Sequence, residues 1–242
     1  MAKSEAAICN LALLAAQITK RIQDLDTDSS VEGGMCRDLF DHERDKLYED
    51  YRLPFAEAQA TLTPLGAAAY DAATSYAKKA SVSLNGVVYI SLIEANLGNS
   101  PDTSGTKWRK LSWGGWTYAF ALPADLVAVR EVYPCYRLAG ADEEIPRKLV
   151  SDVDLGTLML CDESAPDLRY TRRVEATVLF PEKFTEALSL RLGSKLAMAT
   201  GKPELALSLA QLSDAKAGEA MGAQQAQEHE AHLESKFVRS RA

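Results

Sequence analysis

SEAAICNLALLAAQITKRIQDLDTDSSVEGGMCRDLFDHERDKLYEDYRLPFAEAQA, residues 4–60, is the stretch whose reading decides the fold. It holds two helical patterns separated by an acidic turn. In the first, Ile8, Leu11, Ala12, Ala15 and Ile18 recur at three and four residues, which places them on one face of a helix starting just after Ser4, a side chain suited to capping the first turn. In the second, Cys36, Leu39, Phe40, Leu47, Tyr48 and Tyr51 form a stripe, and Ser29 followed three residues later by Glu32 has the form of a capping box. The first helix, at roughly fourteen residues, is only about 20 Å long, and helices that short are marginal alone. The two are therefore expected to pack face to face as a pair.

Working outward, Phe55 to Leu62 reads as a short helical piece ending near Thr63-Pro64, because the residue before a proline is pushed out of the helical region. The character then changes. Between Tyr70 and Trp113 the alternating runs Ser81-Val82-Ser83-Leu84 and Val87 to Leu92 flank Asn85-Gly86, the strongest short hairpin signal in the chain, so a small β module is expected here. From Trp116 onward the runs Thr117 to Leu122, Leu126 to Tyr136, Lys148 to Val150, Thr157 to Cys161 and Leu168 to Val174 predict five strands in a compact antiparallel sheet or partial sandwich packed against the N-terminal helices. Trp113-Gly114-Gly115-Trp116 would be the return joint of the module, with the chain leaving near Leu65 and coming back close by.

Pro181 is placed to open a helix whose buried stripe is Phe184, Leu188, Leu192 and Leu196. Gly201-Lys202-Pro203 stops it and starts another, whose apolar face continues through Leu205, Leu209 and Leu212. Residues 213–232 then contain almost no large apolar group except Met221. Such a segment is either solvated or ordered by close packing on another subunit. The last ten residues, 233–242, turn basic and amphipathic: Leu233, Lys236, Phe237, Val238, Arg239 and Arg241.

The chain of 242 residues is long enough for a real core, and its formal net charge of -7 gives no global attraction to nucleic acid or to an anionic membrane. The run MAKSEAAICNLALLAAQITK is interrupted by Asn10 and Gln17 and lacks a signal-peptide cleavage pattern, and no stretch is apolar over a membrane-spanning length. Cys9, Cys36, Cys135 and Cys161 are far apart in sequence and lie in apolar contexts, which reads as reduced core thiols made in a cytoplasm. Asp24, Asp26 and Asp28 alternate as in a calcium loop, but Ser29 and Met35 stand where glycine and glutamate are required, so turn and capping chemistry is expected instead. His42-Glu43 lacks the second histidine of a zinc-protease helix, Lys46 standing there, and reads as a solvated helix face. Gly201-Lys202 is not a phosphate loop: glycine is missing five residues earlier and Pro203 occupies the hydroxyl position. His42, His229 and His232 lie on polar helical stretches, and no nucleophile and base fall into a known arrangement. The chain reads as non-enzymatic, with no cofactor and no metal site.

The order of residues around Ile8-Cys9-Asn10-Leu11-Ala12-Leu13, the turn from Ile18 to Asp28, Cys36, then Asp41 to Tyr51 followed by Pro54-Phe55-Ala56, resembles the head-to-tail adaptor family of tailed bacteriophages, called tail tubular protein A in short-tailed phages. The likeness returns at Tyr118 to Asp125 and at Phe180-Pro181 through Leu188, with the Ala-rich helices beyond. It covers most of the chain outside residues 68–112; Phe55 departs from the tryptophan that the family often carries there. Within the exception, the order Tyr76, Val82, Gly86, Tyr89, Asn96, Gly98, Pro101 and Trp108 resembles small carbohydrate-binding modules attached to chitinases and cellulases, in which exposed aromatics stack on sugar rings. Tyr76, Tyr89 and Trp108 are the candidate stacking residues. A module of about 45 residues has little core, and the same rings also fit the role of that core.

These readings together predict an α+β chain: a helical bundle with a small antiparallel β-sheet region and an inserted small β module. An adaptor domain would span 1–66 and 114–242, with helices in 5–62 and 181–232 and a β region over 116–175. The insert would be 67–113, and 233–242 a C-terminal docking tail. The resemblance implies a structural connector in the virion, made in the host cytoplasm, whose copies form a twelve-membered ring below the portal. It implies as partners the portal protein, met by the tail residues Leu233, Lys236, Phe237, Val238, Arg239 and Arg241, other copies of the chain, and a tail or nozzle protein. DNA would pass through the channel without sequence-specific binding, and no membrane is involved. The alternative is a carbohydrate-binding protein that contacts host-surface glycan through the insert.

Overall fold

A computed structural model of the chain describes residues 4–134 and 144–239, with side chains of the last helix described as far as residue 222. It is an α+β protein that divides into two compact units, one of Met1–Ala58 with Thr171–Ala242 and one of Gln59–Tyr170.

The first unit is built from α1 (Glu5–Ala15), α2 (Val31–Asp50), α3 (Glu182–Ala199) and α4 (Pro203–Arg239). Ser4 caps α1, its Oγ accepting from the Ala7 N–H at 3.2 Å. The cap of α2 is Ser30 rather than Ser29: the Gly33 N–H donates to Ser30 Oγ at 3.1 Å. Asp28 decides between the two serines, because its Oδ1 accepts from the Ser30 N–H at 2.8 Å and also from the Ser30 hydroxyl, holding that residue in capping geometry. Asp24 does similar work, accepting from the Asp26 N–H and the Thr27 hydroxyl. The connection between the helices is held from both sides. The Asn10 amide pairs with both backbone groups of Ile22, at 2.7 and 2.9 Å, and the Arg37 guanidinium donates to the carbonyls of Leu25 and Asp28.

The expected face-to-face pairing of α1 and α2 is replaced by a shared partner. Both lie on α3, and they meet each other chiefly where Cys9 touches Cys36. The reason lies in α3, whose Phe184, Leu188, Leu192 and Leu196 are all buried and whose Gly193 lets another backbone in. A Cβ at Gly193 would stand 3.0 Å from the Ala12 carbonyl oxygen and 3.2 Å from Ala15 Cβ. The buried face of α1 is consequently Ile8, Cys9, Ala12 and Leu13, and Leu11, expected inside, is 48% exposed.

α3 also carries α4, running antiparallel to it, with Ser194 Oγ donating to the Ala206 carbonyl and Ser213 Oγ to the Ala187 carbonyl, each at 2.8 Å. The buried face of α4 is small, Ala206, Leu209, Ser213, Ala217 and Ala220, and Leu212 is exposed, contrary to its expected place. Close approach between α3 and α4 favours small residues, alanine and serine, with Leu209 as the one large side chain on that face, fitted beside Gly193. The Ala-rich stretch thus packs on the chain's own α3 as far as Ala220, a solution not among the expected ones.

Around the N-terminal end of α3 an aromatic cluster closes the core: Phe184 stacks on Tyr48 at 5.2 Å and meets Phe55 and Phe180, each at 5.0 Å. Offset and edge-on contacts of this kind add to the area they bury. The Tyr48 hydroxyl is satisfied by the Val174 carbonyl at 3.0 Å. Glu43, expected on a solvated face, is 1% exposed, while its neighbour His42 is exposed. Arg191 of α3 explains the difference: its Nε lies 3.0 Å from Glu43 Oε2, and its Nη2 lies 2.7 Å from Asp50 Oδ2. A carboxylate is retained in a helix interface only with a partner of this kind.

After α2 the helical expectation for residues 55–62 fails. A single 3-10 turn, Pro54–Ala56, is followed by a strand, because Glu57 onward pairs into a sheet, and pairing overrides the local preference of EAQAT. The strands are β1 (Glu57–Thr61), β2 (Ser81–Leu84), β3 (Val87–Ser91), β4 (Trp108–Lys110), β5 (Tyr118–Ala121), β6 (Leu126–Tyr133), β7 (Lys148–Asp152), β8 (Gly156–Cys161) and β9 (Asp167–Arg172). They form three three-stranded sheets in the orders β1-β9-β6, β2-β3-β4 and β5-β8-β7. Each of the five runs expected between Thr117 and Val174 contains a strand, residues 135 and 136 of the second run lying outside the described residues, but the five are divided between β1-β9-β6 and β5-β8-β7 rather than joined in one sheet.

Residues 67–113 lie within the second unit and carry the sheet β2-β3-β4. Its hairpin turns at Asn85 and Gly86, with φ of 53° and 76°, the left-handed pair that the Asn-Gly signal requires. The Leu65 N–H donates to the Ala119 carbonyl at 2.8 Å, so the outgoing chain runs beside the strand that follows the Trp113–Trp116 joint.

Candidate functional site

The insert gathers three rings. Tyr70, Tyr76 and Trp108 lie with centroids 5.4 to 5.9 Å apart, the tryptophan edge-on to both tyrosines. Trp108 is placed by β4, which pairs it with Ser91 of β3, and its indole Nε1 donates to the Asn99 carbonyl at 2.8 Å. Asn96, 1% exposed, ties the loops around it: its amide donates to Ser91 Oγ and to the Lys107 carbonyl, and its Oδ1 accepts from Asn99. At 2% exposure Trp108 has no face open to a flat ligand; it is the centre of the module's core. Of the candidate stacking residues, Tyr76 is half-buried, its ring against Trp108 and its hydroxyl accepting from the Asp71 N–H at 2.7 Å. Tyr89 is half-buried on β3, beside Val82 on one neighbouring strand and Lys110 on the other, and makes no ring contact with the three. The structure therefore brings Tyr76 and Trp108 together and leaves Tyr89 apart. Sequence reasoning missed Tyr70, the third ring, whose signal was its position as the first aromatic of the module. Its hydroxyl is buried with no hydrogen-bond partner among the described residues, and burial, followed by the neighbouring Tyr76, pushes its pKa up.

A second constellation anchors the insert to the β7–β8 turn inside the same unit. Arg109 forks onto Asp152 at 2.6 and 3.0 Å and reaches Asp154 at 2.9 Å. The Arg109 guanidinium, joined by the N–H groups of Asp154 and Leu155, holds the Asp152 carboxyl below the usual carboxylate range. This is a clamp on a turn: both Arg109 terminal nitrogens meet carboxylates, and its Nε is buried with no hydrogen-bond partner among the described residues.

In the first unit the notable surface is apolar. Leu11 is 48% and Leu14 69% exposed on α1, and the hollow between them and α3 is lined by Ala15, Glu182, Glu186 and Leu190. Sequence reasoning assigned Leu11 to the core. The overlooked signal was that α1 carries large apolar residues on more than one face, Ile8 and Leu13 on one side and Leu11 and Leu14 on another, which a helix with a single buried stripe does not. Among the described residues no group of three histidine, cysteine or carboxylate side chains is arranged to hold a metal ion, and no helix is long and apolar enough to cross a membrane. Cys9, Cys36 and Cys161 are free and buried; the hydrogen bond to Cys36 and burial push the Cys9 thiol up, which keeps it protonated and unreactive. Cys135 lies outside the described residues. So do the side chains of Leu233, Lys236, Phe237, Val238 and Arg239, and all of Arg241, although the α4 backbone passes through 233 without a break and continues to Arg239.

No protein-family model matches this sequence, and neither does any curated protein.

Proposed function

We propose that this chain is a structural connector of a tailed bacteriophage, a subunit of a ring that joins the portal to the tail and leaves a channel for DNA. The observation that carries the reading is the length of α4. Lys183, on the first turn of α3, pairs with Glu219 at 2.6 Å, so the N-terminal end of α3 lies beside residue 219 while α4 continues to Arg239. That is a projection of about 30 Å at 1.5 Å per residue. In proteins most helical stability comes from packing of a face rather than from propensity, and a helix that runs about 20 residues past its packing partner supports a chain completed by neighbours. The order of sequence likenesses to phage adaptors supports the same reading, and the net charge of -7 suits a channel that must not hold phosphate, over a screening length of about 8 to 10 Å.

The partners on this reading are the portal, further copies of the chain, a tail or nozzle protein, and DNA passing without sequence recognition; the work done is assembly, not catalysis. Co-sedimentation of the purified chain with portal rings tests it. A saturable complex of about twelve chains per portal is expected; no complex at any ratio would overturn it. For glycan contact, Tyr76 and Tyr89 are the remaining candidates. Tyr89→Ala is the informative variant on a glycan array, because it leaves the three-ring core in place.

A further inference from the structure

We infer that the hollow between α1 and α3 is the docking site for the C-terminal segment, residues 233–242, of a second copy of this chain. The inference deepens the connector reading, on which it rests for the existence of a ring, and replaces the portal as the destination expected for that segment. Leu11 and Leu14 stand exposed at the rim, Leu190 lines the far side, and the charged lining residues are Glu182 and Glu186. An acidic rim around an apolar floor matches a segment that combines Leu233, Phe237 and Val238 with Lys236, Arg239 and Arg241. Lys216 lies 3.6 Å from Glu186 and offsets part of that charge, at a half-exposed position where such a pair is weak.

The α3 side of the hollow spans Glu182 to Leu190, at and behind the level where Lys183 meets Glu219. Residue 233 lies on the same helix about 20 Å further on, pointing away from that level. Because α4 is continuous to Arg239, the segment cannot turn back onto its own hollow, and a neighbouring copy is the occupant. Groove and segment are different surfaces of one chain, so each copy can give its segment to one neighbour and receive that of another, a head-to-tail contact that closes into a ring when the rotation between copies closes.

The test is photo-crosslinking in the full-length chain. A benzophenone amino acid replaces Leu14, and isotopically light and heavy copies are mixed near millimolar concentration, so that crosslinks between copies are told from those within one. Crosslinks from position 14 to residues 233–241 of the other copy are expected. Leu14→Asp and deletion of 233–242 should each weaken self-association about tenfold or more, with helical content unchanged for Leu14→Asp. Crosslinks confined to one copy, crosslinks only to other regions, or unaltered association after the deletion overturn the inference. Its failure is separable from that of the connector reading: a ring on the portal in which position 14 meets the portal or another surface removes this docking alone, and docked copies that never join a portal remove the connector alone.

Discussion

Arg191→Met is the sharpest probe of how the helical unit is held together. In the native chain the Glu43 side chain is 2% exposed, with its Oε2 3.0 Å from Arg191 Nε and its Oε1 3.6 Å from Lys195 Nζ. Removing one partner of a buried ion pair typically costs about 3 to 5 kcal/mol, because the other charge stays buried without compensation. Here Lys195 gives some relief, but its side chain is 46% exposed, and pairs at such positions contribute about 0 to 1 kcal/mol. Asp50, at 44% exposure, loses its contact to Arg191 and returns to water at little cost. The expected loss is therefore about 3 kcal/mol, or a melting temperature lower by about 9 °C for a chain of this size. Replacing both partners, Glu43→Met with Arg191→Met, exchanges the pair for apolar packing and should recover all but about 1 kcal/mol. The assay separates the units: Trp108, Trp113 and Trp116 all belong to residues 59–170, so tryptophan fluorescence follows that unit while far-UV circular dichroism is weighted to the helices. The dichroism transition alone should move. A double variant as unstable as Arg191→Met, or a single variant as stable as the native chain, would refute the reasoning.

Three further outcomes follow from the second unit. Trp108→Ala should destabilise it by about 3 to 5 kcal/mol and increase proteolysis within residues 67–113, since it empties the centre of a small core; an unchanged fluorescence transition of the remaining tryptophans contradicts this. Gly66→Ala should cost about 2 kcal/mol or more by the same measurement, because Gly66 sits at φ 73° and an added Cβ would lie 2.8 Å from both Val88 methyl groups. Asp152→Asn should be less stable than the native chain at neutral pH. The folded Asp152 carboxyl is held below its unfolded value of about 3.9, so its contribution is complete above that pH and is lost as pH falls through the lower folded value. Native and variant urea midpoints should converge only in that acidic window; a gap that persists below it, or one that closes already near neutrality, contradicts the assignment.

What the sequence made legible were the features decided by neighbours along the chain. Ser4 caps a helix because its own turn offers a free N–H, Asn85-Gly86 makes a hairpin because left-handed φ favours those residues, and Phe184, Leu188, Leu192 and Leu196 of α3 are buried because their spacing of four puts them on one face. The misses are positions decided by distant partners. Glu57 to Thr61 is a strand because β9 pairs with it, and Ser30 rather than Ser29 is a cap because Asp28 accepts from it. Gly193 draws α1 onto α3 instead of α2, which in turn puts Leu11 outside. Glu43 is inside because an arginine 148 residues away neutralises it. The candidate site divides in the same way. That Trp108 belonged to an aromatic group was visible, but whether it faced water or the core depended on Asn96, Asn99 and Tyr70 closing around it. The hollow beside Leu14 was not visible at all, since it exists only where two helices from opposite ends of the chain meet.

The central claim, that the chain is made to be joined end to end with copies of itself at a viral DNA gateway, is tested most directly by single-particle imaging of the purified chain mixed with portal rings. The account predicts closed rings coaxial with the portal, with an open channel and the C-terminal end of each α4 lying on the adjacent subunit. Chains that remain separate in the presence of portal, or that bind it as isolated subunits without contacting one another, would contradict it.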